Sequence, residues 1–93
     1  MRTISRTSRF KKDYRREAKG KHRATLDADL LAVIELLASD SPLPKRFHDH
    51  PLTGEWADHR DCHVKPDLVL IYRLPDPESL VLVRLGSHSE LSL

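Results

Sequence analysis

At 93 residues, with 39% hydrophobic and 32% charged side chains, the chain suits one globular domain with a thin core, not a disordered segment. No apolar run approaches the ~18–20 residues of a membrane span, and Met1-Arg2-Thr3-Ile4 lacks the apolar stretch of a secretory signal, so a membrane is excluded and a cytoplasmic setting expected. The net charge of +2 hides ten Lys/Arg against two acids in residues 1–23, and six against twelve in residues 24–93.

A basic block of that kind attracts polyanions by counterion release, though it serves equally as a solvated helix face or as a surface for an acidic protein. Cys62 stands alone and has no partner for an internal disulfide, which agrees with a reducing compartment.

Along the chain, Arg2-Thr3-Ile4-Ser5-Arg6 alternates and predicts a short strand. Thr7 or Ser8 then caps a helix whose apolar stripe is Phe10, Tyr14 and Ala18. Gly20 fits the position just past a helix end, where positive φ is common. Leu26, Leu30, Val33, Ile34 and Leu37 form a strong stripe over 23–39, widened by Leu31 and Leu36 and ended by Ser41-Pro42-Leu43-Pro44. The two helices should form a hairpin. Residues 42–58 hold three prolines and Gly54 and predict a long, irregular connection. Strands follow at 58–64, 68–74 and 80–85, the second buried on both faces. Ser87 caps a last helical turn over 88–92. The expected fold is α+β, in the order β-α-α-β-β-β with a terminal α. The helical hairpin packs on a small, curved, mostly antiparallel sheet, and the first strand pairs in parallel with a later one.

Six histidines raise the question of acid–base chemistry. RNA can be cleaved without a metal when a base removes the proton of a ribose 2′-hydroxyl, an acid protonates the leaving 5′-oxygen and a cation steadies the phosphorane. Histidine suits both proton roles and arginine the third. Strand alternation puts Asp61 and His63 on one face, with Arg60 and Cys62 on the other. It also puts Arg84 with Leu80 and Leu82, opposite Val81, Val83 and Leu85. If the three later strands are neighbours in chain order, His63, Asp67, Arg84 and His88 converge, and His50 joins them from the long connection. Blander roles compete: Arg60 pairing with Asp61 or Glu55, Trp56 as a core or rim aromatic instead of a base-stacking platform, and Cys62 as a small buried hydrophobe. His48-x-His50 is spaced as a zinc pair could be, but no CxxC or HExxH accompanies it, so no metal or other cofactor is expected.

The run Asp49-His50-Pro51-Leu52-Thr53-Gly54-Glu55-Trp56, the run from His59 through His63 and Asp67 to Tyr72, and the closing Arg84-Leu85-Gly86-Ser87-His88 carry a resemblance. Together they are similar to the YafQ branch of the RelE/ParE toxin superfamily, whose pattern runs roughly D-H-x-L-x-G-x-W, R-x-x-H-x-x-x-D-x-x-L-I-Y and R-x-G-[ST]-H. The resemblance spans essentially residues 1–93, as one RelE-like toxin domain. It implies a type II toxin neutralised by a cognate antitoxin, which enters the ribosomal A site and cuts mRNA there without a metal. The matching positions are His50, His63, Asp67 and His88 for catalysis, with Arg84 as a phosphate contact. Lys65 and Arg60 are expected as further substrate contacts. His88 is the leading group for proton transfer, and the division of acid and base roles stays open. Leu68 and Ser92 stand where close members carry aromatics, which bears on stacking against codon bases. Two other classes compete: a ParE-like gyrase inhibitor, which has no need of acid–base residues, and a weakened module that only binds RNA or antitoxin.

Overall fold

Thr7 ends the first strand and starts the first helix: its side chain accepts the Phe10 N–H, satisfying a donor that the first turn leaves open. The computed structural model describes residues 1–93 as β1 (Thr3–Arg6), α1 (Ser8–Glu17), α2 (Leu26–Ala38), β2 (His50–Pro51), β3 (Arg60–Lys65), β4 (Leu68–Arg73), β5 (Ser79–Gly86) and α3 (His88–Leu91). Two 3₁₀ turns, Lys45–Phe47 and Gly54–Trp56, lie in the long connection. The five strands form one sheet in the order β1-β5-β4-β3-β2. Only β1 and β5 run parallel, as the helical crossover between them requires. No helix is long and apolar enough to cross a membrane.

The apolar pattern divides between two faces. Phe10, Leu26, Leu30, Val33 and Leu37 from the helices meet Cys62, Leu70, Tyr72, Leu80, Leu82 and Leu85 from the sheet in the main core. On the opposite face, Val69, Ile71 and Leu91 make a small cluster with Leu52, Trp56 and Val83 against it. β4 is therefore buried on both sides, as its unbroken apolar run predicts. Leu31, expected to widen the α2 stripe, is 56% exposed. The expected left-handed Gly20 is not found either. α1 closes at Ala18 in right-handed geometry, the chain runs on in turns to Thr25, and Gly54 is the glycine at positive φ.

Two irregularities overturn the simple alternation of side chains. In β5 the register slips between Ile71 and Tyr72, which pair with Arg84 and Leu82, so Val83 is an extra residue. Leu85 is thereby restored to the face of Leu80 and Leu82, and Arg84 lies in the row of Ile71, the reverse of the expected assignment. In β3 the slip falls at Val64, and Lys65 pairs with Leu68. Pro66-Asp67 forms the turn, and proline's φ near −65° forbids the primed geometry that suits a two-residue hairpin. The bulge supplies the missing twist.

α1 is fastened to β5 beyond the end of β1. Asp13, 4% exposed, accepts from Arg84 Nε at 2.7 Å, from the Leu85 N–H at 3.0 Å and from Arg16 at 3.0 Å. Arg16 also donates to the Leu85 carbonyl at 2.8 Å and meets Glu90 of α3 at 3.2 Å. Burial pushes the Asp13 carboxyl up, but the hydrogen bonds from Arg84 and Leu85 and the two guanidinium charges outweigh it and hold it below the usual carboxylate range. Its stabilisation is therefore present at neutral pH and lost as pH falls through that lowered value. Asp13→Ala should cost about 3–5 kcal/mol in urea unfolding at neutral pH, by leaving the largely covered Arg84 guanidinium without its partner. The gap between variant and parent should narrow in acid.

Candidate active site

The long connection is pinned to the sheet by Asp49. Its carboxylate accepts the Tyr72 hydroxyl and the Arg60 guanidinium, the latter at 3.3–3.4 Å. Burial, then the hydrogen bond to Asp49, pushes the Tyr72 phenol well above its usual value, so it stays a donor. Phe47 is buried just upstream. Between these anchors His48 adopts a left-handed φ of 48°. That turn lets Asp49 point into the sheet while its neighbours His48 and His50 stay exposed. β2 then sets His50 directly opposite Asp61.

Three elements bring imidazoles together on the face of the small cluster. β3 carries Asp61 and His63 there, opposite Ile71 and Val69. α3 is held by a capping box between Ser87 and Glu90, and Leu91 plugs it into the small cluster. His88, the first residue of that turn, meets His63 with ring centres 4.9 Å apart. His48 meets the same ring at 5.1 Å. His50 Nδ1 lies 2.7 Å from the His48 carbonyl and 3.1 Å from Asp61 Oδ1. Both neighbours are acceptors, so Nδ1 carries the hydrogen in the neutral ring and Nε2 keeps a free lone pair.

Burial pushes the His63 imidazole down, and the neighbouring His88, His48 and His50 push it further, against an opposing pull from Asp61. His63 therefore holds its neutral form into mildly acid solution. Asp61 is raised by burial, which exceeds the opposing effect of His50, His63 and His88.

The other residues expected at the site lie elsewhere. Val64 and Lys65 both face the helices because of the bulge, and Lys65 pairs with Asp29 of α2. Asp67, with its side chain 44% exposed, pairs with Lys21 and His22 of the α1–α2 connection. Arg60 pairs with Asp49, not with Asp61 or Glu55. Arg84 is held by Asp13, although it also lines a shallow groove with Arg9, Trp56 and Leu91 beside α3. The expected convergence thus holds for His50, His63 and His88, while Asp67 and Arg84 point to other partners. In their place stand Asp61 and His48. Alternation along β3 already puts Asp61 with His63. His48 carries no pattern that separates it from a surface histidine.

Residues 2–93 match the family described as the bacterial toxin of type II toxin-antitoxin systems, YafQ. The chain is 36% identical over 90 residues to the mRNA interferase toxin YafQ of Escherichia coli K12, covering 95% of this chain and 97% of that one. The YafQ–DinJ complex of E. coli superposes with a TM-score of 0.78 at 33% identity, covering 98% of each chain. A copper-bound mutant toxin from Helicobacter pylori superposes at 0.85 with 38% identity, covering 98% and 99%. In the present chain no three His, Cys, Asp or Glu side chains are grouped with the geometry of an ion site.

The Asp49 anchor predicts a specific weakness. Tyr72→Phe removes a hydroxyl donor to a carboxylate and should cost about 1.5–3 kcal/mol in chemical denaturation. Amide exchange should rise over residues 48–50, whose position depends on that bond, more than over α1.

Proposed function

From the premise that the chain belongs to the YafQ family of type II toxin-antitoxin toxins, we propose that it is an mRNA interferase that cleaves mRNA in the ribosomal A site by acid–base catalysis. The observation that carries this reading is the convergence of His50, His63 and His88 on one face of the sheet, from three separate elements. Such a cluster supplies both proton-transfer roles near neutral pH. His63, kept neutral by burial and by its neighbours, suits removal of the 2′-hydroxyl proton. The alkoxide attacks the adjacent phosphorus, the P–O5′ bond breaks, and His88 at the exposed rim gives its proton to the departing 5′-oxygen. The products are a 2′,3′-cyclic phosphate and a free 5′-hydroxyl. His50, held opposite Asp61 in the same cluster, assists in holding the phosphate.

Asp67, Arg84, Lys65 and Arg60 remain in the proposal with a condition attached. Each is engaged with another side chain, so each acts on RNA only after exchanging that partner. Asp67 can do so cheaply, because its partner Lys21 is exposed and solvent screens the pair. Arg84 would have to leave the buried Asp13, so its guanidinium serves better as a fixed charge beneath the groove shared with Arg9. The basic residues of α1 and its flanks give the ribosomal RNA a surface to bind.

The same reading supplies the partners. The E. coli relative is paired with the antitoxin DinJ, and a cognate antitoxin is proposed to neutralise this chain in the cytoplasm. His50 and His88 are exposed, so the ribosome is needed to hold the strand in the in-line arrangement. The purified protein alone should cleave naked RNA poorly, and efficient, specific cleavage of free RNA would refute ribosome dependence.

The direct test is inducible expression with mapping of mRNA 5′ ends in translated frames. His88→Ala should lower cleavage by about 10²–10⁴-fold, and Asp67→Ala by less. Growth arrest and cleavage undiminished in both variants would show the site to be wrongly placed. Arrest with intact mRNA and loss of DNA supercoiling would point to a gyrase inhibitor instead.

A further inference from the structure

Asp61 is the carboxylate set against the histidine cluster. It is 2% exposed, in register between His50 of β2 and Ile71 of β4. Its Oδ1 lies 3.1 Å from His50 Nδ1 but makes no hydrogen bond, because that nitrogen directs its hydrogen to the His48 carbonyl. Charged neighbours come from each adjoining element. They are His50 from β2, His63 from β3 itself, His88 from α3, and Asp49 from the connection before β2. β4 offers only apolar Ile71, and Arg84 in the same row of β5 is committed to Asp13. No permanent cation therefore neutralises Asp61. A buried carboxylate without a paired cation is costly, and here protonated imidazole is the counterion within reach.

We propose that Asp61 is a positioning residue of the cleavage site: from beneath the cluster its carboxylate holds one proton on the imidazoles of His50, His63 and His88, while the His48 carbonyl fixes the ring of His50. This inference rests on the acid–base reading above and assigns the part that keeps one imidazole charged while its neighbour stays neutral. Imidazoles as close as His63 and His88, with ring centres 4.9 Å apart, otherwise repel each other's protons, and the acid form grows scarce at neutral pH.

Asp61→Asn keeps the shape and removes the charge. Imidazole NMR titration of the full chain should show at least one of the three midpoints falling by about one pH unit. Cleavage of mRNA on programmed ribosomes should drop about tenfold at neutral pH and recover part of that loss in mild acid, with ribosome binding unchanged. Unshifted imidazole midpoints, together with an unchanged pH profile, would overturn the proposal. Should Asp61→Asn fail to fold, the parent and His50→Gln provide a second test by carboxyl NMR. The Asp61 midpoint should rise when His50 is removed, and an unchanged midpoint would overturn the inference. The underlying reading has its own control: His88→Ala that cleaves like the parent would refute the acid–base site. An inactive His88→Ala beside unshifted imidazoles would refute only the part given to Asp61.

Discussion

The buried Asp13 carboxylate is the constraint on which the rest of the molecule turns. β1 stops at Arg6 opposite Leu82, which leaves the end of β5 without a strand on that side. A bare strand edge must satisfy its N–H and C=O groups in some other way. Asp13 takes the Leu85 N–H and Arg16 donates to the Leu85 carbonyl, so a helix side-chain pair stands in for a strand. The same knot reaches Arg84 and, through Arg16, Glu90 of α3. It crowds Gly86, where an added Cβ would lie 2.9 Å from the Arg16 guanidinium and force it to shift. Such a buried ionic network contributes modestly to net stability, since desolvation offsets much of the attraction. Its use here is to fix which residue of β5 lies where, and with it the start of α3 and the place of His88.

The two bulges divide labour between the faces of the sheet. Nearly all the apolar side chains go to the helix side, where the domain builds its main core. The opposite face keeps only a small cluster around Leu91 and Trp56, enough to seat α3 and little more. That leaves the face open for polar groups. The bulge at Val64 turns Lys65 and Asp67 toward the helices, so the pairs Lys65–Asp29 and Asp67–Lys21 brace the sheet against α2 and the connection before it. The histidines, by contrast, stand over a floor containing a carboxylate and few fixed charges. Imidazoles packed beside one another over a buried carboxylate are a setting suited to groups that exchange protons near neutral pH.

Much of this was legible in the residues. The 3.6-residue spacing from Leu26 to Leu37 marks α2, the unbroken apolar run marks β4, and Ser87 marks the start of α3, because these signals act over one or two turns of chain. Chain order of the last three strands, with short links between them, also foretells their adjacency, and so the meeting of His63 with His88. Alternation along β3 likewise puts Asp61 with His63, but the positions of the bulges, which turn Asp67 away, and the capture of Arg84 by Asp13 could not be read this way. Each depends on groups far apart in the chain, Asp13 lying 71 residues before Arg84. A one-residue slip in a strand reverses every side chain beyond it, and nothing local to residues 83–84 or 63–65 reports the slip. The residue types capable of the chemistry are thus a property of the sequence. Which of them share a surface is decided by cross-strand register, which exists only once β5 has met both β4 and α1.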